Sequence, residues 1–196
     1  MFYAHRFILE DCAPALVASC TSGKDLTTIP ITNVKPEIFH HLLYYVYGGK
    51  VDDTDLKANA KDIVDACDIY EVVNLKLEAE AILVASTTIT IDNVIELLLY
   101  ANEKNCALLK ETVNDFLVEN LDEAIKKLSF ENDVPGQLMT DLMTAVARGK
   151  KESNTSSDAT DSSTARVGTL RRMLHEKGLD IDGSREAMIA LLEENS

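Results

Sequence analysis

The sequence predicts an α+β protein, mostly helical, with one small sheet followed by a helical extension. Three observations carry this. Apolar residues recur at three- and four-residue spacing through most of the first 148 positions, the signature of amphipathic helices. One short stretch alternates around β-branched residues instead. A polar segment, 149–165, then separates off a second periodic stretch, 166–196.

Ala4–Cys12 reads as a first short helix, and Pro14 sits at the start of a second, Ala15–Cys20, where its missing N–H costs nothing. Thr27–Thr32 (TTIPIT) alternates around Ile29 and Ile31 and predicts a strand, with Pro30 confining it to an edge. Pro36 opens a helix through Tyr47, striped by Ile38, Leu42, Leu43 and Val46 and ended by Gly48–Gly49. Leu56, Ala60, Ile63, Val64, Cys67 and Tyr70 stripe the next helix behind an Asp52/Asp53/Thr54 cap region. Leu75, Ala79 and Ile82 mark another. Val94, Leu97, Leu98 and Ala101 form one further stripe, and Leu109, Val113, Phe116 and Leu117 a second. Only Lys104–Ala107 lies between them, so an antiparallel helical pair is expected. Ala124, Ile125 and Leu128, then Leu138, Leu142 and Val146, suggest two more helices.

The 196 residues carry 19 Lys+Arg against 33 Asp+Glu, a net charge of −14. Phosphate affinity needs clustered cations, so this composition argues against a general nucleic-acid or anionic-membrane binder. No apolar run approaches the length of a membrane span, and Met1–Leu9 has no secretory apolar core. Cys12, Cys20, Cys67 and Cys106 show no CxxC pair and no zinc spacing, so reduced cysteines in a cytoplasmic or nuclear protein are expected. Residues 149–165 (GKKESNTSSDATDSSTA) have Ala159 and Ala165 as their sole apolar residues, which predicts a disordered linker.

No nucleophile, phosphate-loop or metalloprotease motif occurs, and no enzyme activity, cofactor or metal is expected. His40 and His41 are adjacent and diverge by roughly 100° on a helix, so they do not chelate one ion. Asp52–Asp55 lacks the glycine and the bidentate glutamate of a calcium loop and reads as a helix cap. Asn154–Ser156 fits the glycosylation pattern but, without a secretory signal, reads as an unused linker triplet. Tyr44, Tyr45 and Tyr47 cannot all face one core. Some of them pack within the chain or face a partner.

Several segments resemble BTB/POZ domains. Phe2-Tyr3-Ala4-His5-Arg6-Phe7-Ile8-Leu9 with Ala13-Pro14-Ala15-Leu16 is similar to F-x-A-H-K-x-I-L…S-P-x-F. Ile31–Phe39 resembles I-x-x-V-x-P-E-x-F, and Leu42–Val51 resembles L-L-x-Y-I-Y-T-G-x-V. Ala66–Tyr70 with Leu75-Lys76 resembles A-A-D-x-Y…L-K. Order and spacing agree over about residues 2–85. Residues 89–128, through Ile91-Asp92-Asn93-Val94, Leu98, Leu109-Lys110 and Phe116, resemble the start of the BACK-type extension of speckle-type adaptors.

The resemblance implies a homodimer whose interface includes Ile8, Leu9 and Leu16. It also implies cullin-3 as partner, on a surface assigned to Tyr45, Tyr47, Tyr70 and Leu98. The sequence departs from the pattern in lacking the hairpin that ordinarily precedes F-x-A-H-K, so a shortened sheet is expected. The loop Thr21–Asp25 also lacks the hydrophobic-x-glutamate cullin contact, and no recognisable substrate-binding domain is present.

The tail resembles a SAP motif through Leu170–Leu174, Gly178-Leu179, Asp182–Glu186, Met188-Ile189 and Leu191-Leu192. Gly178 is expected as a C-cap and Ser184 as the next N-cap. Arg171, Arg172 and Arg185 are the candidate nucleic-acid contacts. The acids among them favour a protein-contact hairpin over DNA binding. The expected organisation is a BTB/POZ domain at 1–85, a BACK-like extension at 86–148, the linker at 149–165 and the SAP-like hairpin at 166–196. The expected function is a non-catalytic substrate adaptor of a cullin-3 ubiquitin ligase. The alternative is a nuclear scaffold built on BTB self-association and the SAP-like tail.

Overall fold

In the computed structural model, the residues whose placement is described are 1–20, 30–127, 136, 140, 143–144 and 165–195. They form two compact units, Met1–Ser86 and Thr87–Ser196.

The first unit contains α1 (Arg6–Cys12), α2 (Pro14–Cys20), α3 (Pro36–Val46), α4 (Asp53–Tyr70) and α5 (Val73–Ser86). Helix α4 is the hub, packed by α5, α3 and α2. Ile38, Leu42, Leu43 and Val46 of α3 and Leu56, Ile63, Val64 and Cys67 of α4 are buried, as their spacing demands. Helix α3 ends in a Schellman turn. Gly48 takes φ +83°, its N–H reaches the Tyr45 carbonyl at 2.8 Å, and the Gly49 N–H reaches Tyr44 at 2.9 Å. Helix α4 opens at Asp52 without a side-chain cap bond, so Asp53 and Asp55 act on the helix dipole instead. Inside it Asn59 leaves helical geometry and its side-chain amide donates to the Asp55 carbonyl at 3.1 Å, local competition that kinks the helix.

The predicted sheet is a correction. Among the described residues there is no strand, and the first unit is all-helical rather than α+β. Pro30, Ile31 and Thr32 are irregular, while the rest of the TTIPIT stretch lies outside the described residues. The physical reason is pairing. A strand needs a neighbour to take its N–H and C=O groups, Pro30 brings no donor, and β-branched propensity alone does not make a ladder.

The second unit contains α6 (Val94–Glu103), α7 (Ala107–Glu119), α8 (Leu121–Lys127), α9 (Val167–Glu176) and α10 (Arg185–Glu194). Helices α6 and α7 form the expected pair around Val94, Leu98, Leu109, Val113 and Leu117. The turn between them uses Asn105 at φ +52°, one of the few non-glycine types that tolerate it. Helices α9 and α10 form a hairpin. Gly178, at φ +66°, directly follows the α9 C-cap, and Leu179 N–H closes back on the Leu174 carbonyl at 3.0 Å. Ser184 caps α10 by accepting from the Ala187 N–H at 3.3 Å. The predicted linker, Ala165 excepted, and the stripe Leu138, Leu142, Val146 lie outside the described residues. No described helix is long and apolar enough to cross a membrane.

Candidate partner interface

An aromatic surface runs from the amino-terminal arm onto α3. The Phe2 ring meets Phe39 edge-on at 5.4 Å and stacks near His40 at 6.2 Å. Phe39 in turn meets Tyr70 at 6.0 Å, and His40 stacks on Tyr44 at 6.4 Å. One end of this chain of rings is thus rooted in the core and the other is wet. Tyr3 and Phe7 are 85% and 83% exposed, and Met1, Phe2, Tyr44 and Tyr47 are exposed beside them in sequence or along α3. Exposed aromatic side chains concentrated on one arm and one helix are a feature of contact surfaces.

Two polar links fix this surface. Tyr47 hydroxyl accepts from the His5 backbone N–H at 2.6 Å, with His5 Nδ1 2.9 Å from the same oxygen. The histidine of the F-x-A-H segment therefore pins the arm to the end of α3. Tyr45 hydroxyl donates to Glu78 Oε1 at 3.1 Å, tying α3 to α5. The ring of Tyr44 lies against Gly49, where a Cβ would fall 2.4 Å from it, so a side chain at the second glycine of the pair would have to displace that exposed ring.

Burial pushes the Tyr45 phenol up to about 12, assisted by the Glu78 carboxylate that its O–H must keep facing. Burial also raises Tyr70 and the Cys67 thiol, which leaves Cys67 an inert core residue. A raised phenol pKa means that the folded state holds its proton longer than the unfolded chain. The stability it contributes is whole below pH 10 and is lost as pH rises from 10 toward 12. Tyr45→Phe removes that dependence. Ultraviolet difference titration should show one phenolate fewer ionising late, and a variant curve identical to wild type would refute the assignment.

The structure distributes the sequence-derived site residues unevenly. Ile8 is half-buried, while Leu9 and Leu16 are buried in the first unit's own core. Phe7 is the exposed large apolar side chain of α1. Of the four residues assigned to a cullin surface, Tyr47 is exposed and Tyr45 half-buried, but Tyr70 and Leu98 are buried. A partner reaches those two only by repacking the core. In the tail Arg172 is exposed, whereas Arg171 and Arg185 are half-buried, and an Arg185 guanidinium N–H donates to the Ala165 carbonyl at 3.0 Å. The loop Thr21–Asp25 lies outside the described residues. Sequence reasoning missed the arm itself: the alternation of Phe2, Tyr3 and Phe7 with His5 and Arg6 follows no helical stripe. Among the described residues no cluster of His, Cys, Asp or Glu is arranged to hold a metal ion.

Comparison with known proteins agrees with the first unit's limits. Residues 1–87 match the BTB/POZ domain family. The chain is 25% identical over 169 residues to the Arabidopsis thaliana "BTB/POZ and MATH domain-containing protein 4", which covers 77% of this chain and 36% of that protein. It is 26% identical over 157 residues to the Arabidopsis thaliana "ARM repeat protein interacting with ABF2", covering 79% of this chain and 21% of that one. The chain thus spans about a third or less of the length of these relatives. The family match ends within one residue of the first compact unit, so the likeness to the BTB/POZ family and the first unit cover the same stretch.

Proposed function

We propose that this chain is a homodimeric substrate adaptor of a cullin-3 ubiquitin ligase, a protein-interaction module rather than an enzyme. BTB/POZ domains make protein–protein contacts, and the observation that carries the reading is the exposed arm-and-α3 aromatic surface of this one. In this reading α1, with Ile8 at its edge, contributes to the dimer, and α6–α7 serve as a BACK-type extension. Tyr47 and the exposed edge of Tyr45 belong to the partner surface. The name of the second relative speaks of interaction with a further protein, which suits an interaction role. The nuclear-scaffold alternative draws less support. Its tail would need free cations, yet Arg171 and Arg185 are half-buried and Arg185 is already bonded.

The test is titration of the cullin-3 amino-terminal domain against the chain and against Lys24→Met with Leu26→Glu, which restores the missing contact motif. A regained buried anchor is worth about 2 kcal/mol, so the restored chain should bind roughly thirtyfold tighter. No binding by either, with both shown folded by circular dichroism, eliminates the ligase reading.

A further inference from the structure

We propose that α7 carries a receptor face for an amphipathic two-helix segment, and that the chain's own C-terminal hairpin is a removable plug on it. Val167, Leu170 and Leu174 of α9 and Met188 and Leu192 of α10 are buried in one cluster with Ala107 of α7, and Leu108 packs against it. The face does more than bury oil. Both carboxylate oxygens of Glu111 lie within reach of the Val167 N–H, at 3.2 and 3.3 Å. Glu111 is itself buried. Helix α9 has no side-chain cap of its own at Arg166. Its first turn is capped by a carboxylate on α7, 56 positions away in sequence. One step further along α7, Asp115 pairs with Arg166. Apolar contact, helix-start recognition and a charge pair thus read three successive features of the docked segment: its basic N-cap, its first N–H and its Val-x-x-Leu-x-x-x-Leu stripe.

The same contact carries a built-in cost, which is why it acts as a plug rather than a weld. Asn114, on the same helix, is 4% exposed and its Oδ1 has no hydrogen-bond partner. It shares the walls of a small cavity with Glu111 and with Arg185 and Glu186 of the hairpin. An orphaned buried acceptor is destabilising, and opening the hairpin returns it to water. The receptor is closed in cis because residues 128–164 tether the hairpin nearby, at about millimolar effective concentration. When the plug leaves, the hairpin of a second copy fits the same face.

The test uses the full chain and a fluorescent peptide of residues 165–196. The plug is opened by Leu170→Lys with Leu174→Lys, and in a second chain by Val167→Asp. Circular dichroism verifies that the remaining helices persist. By anisotropy the peptide should bind either opened chain at about micromolar concentration and wild type about a thousandfold more weakly, because the tethered copy competes. Adding Glu111→Ala to an opened chain should abolish binding. Adding Asp115→Arg should weaken it about fivefold, and the peptide carrying Arg166→Asp should restore it. Failure of the peptide to bind either opened chain, or equal binding to opened and wild-type chains, overturns the proposal.

Discussion

Leu75→Ala should lower the stability of the first unit by about 3 kcal/mol, one of the two largest single-residue effects expected in this chain. Leu75 is fully buried on α5, the helix that packs along α4, the hub of the unit. Truncation removes three carbons' worth of transfer free energy and leaves a cavity that the neighbouring helices close only in part. Domains of this size have about 5–15 kcal/mol in total, so the variant loses a large share. With a urea slope of about 1–1.5 kcal/mol per molar, the midpoint should fall by about 2–3 M with the slope unchanged. Ile69→Ala is the internal control, since that side chain on α4 is 41% exposed and its loss should shift the midpoint by less than about 0.5 M. Equal small shifts for both variants would show that α5 does not contribute to the core as its burial indicates.

What the sequence made legible were the elements whose cause is local. Leu42 and Leu43, or Leu109 and Val113, announce a helix face because 3.6-residue periodicity is written into neighbouring positions, and the structure buries those faces. Gly48 and Gly178 announce helix ends because a left-handed residue is needed there. The strand expected over Thr27–Thr32 failed at its described residues, Pro30–Thr32, because a strand is defined by another strand, and β-branching at Ile31 and Thr32 carries no information about a partner. The break between α4 and α5 was legible from two separate stripes, one ending at Tyr70 and one resuming at Leu75, but the residue that makes it was not. Glu71 takes φ 58°, a left-handed residue that no glycine advertises.

The functional surface divides along the same line. Tyr44, Tyr45 and Tyr47 stood out as too many aromatics for one core, and the structure spreads them over exposed and half-buried positions. Their individual fates were not legible, because they depend on His5 and Glu78, 42 and 33 positions away. Tyr70 and Leu98 belong to helical stripes and are buried with them, so placing them on a partner surface came from the family resemblance and not from their periodicity. The docking of the tail on α7 was invisible for the same reason as the sheet. Glu111 reads as an ordinary charge in an amphipathic helix until the Val167 N–H is placed against it.

Lys76 shows how large an effect such a long-range partner produces. A lysine next to Leu75 reads as a solvent-facing neighbour of an apolar stripe, yet it is 4% exposed and its ammonium lies 3.0 Å from Asp68 Oδ1 on α4. Burying an ammonium is costly unless it is paired, and removing one member of such a pair leaves the other charge poorly compensated. The Asp68 side chain is 28% exposed, so water recovers part of that loss and the full value for a buried pair does not apply. Lys76→Ala should therefore cost about 3 kcal/mol, combining lost stem packing with the lost ion pair. Lys76→Met keeps most of the stem and should cost about 1 kcal/mol less. The diagnostic result is the double variant Lys76→Met with Asp68→Asn. If the pair is coupled, it should be more stable than the sum of the two single losses predicts, by about 1 kcal/mol or more. Raising salt to 1 M should change the wild-type value only modestly, because the ammonium is buried and a partly buried pair is screened less than an exposed one. Strict additivity in urea unfolding would mean that the Lys76–Asp68 pair contributes nothing to joining α4 and α5.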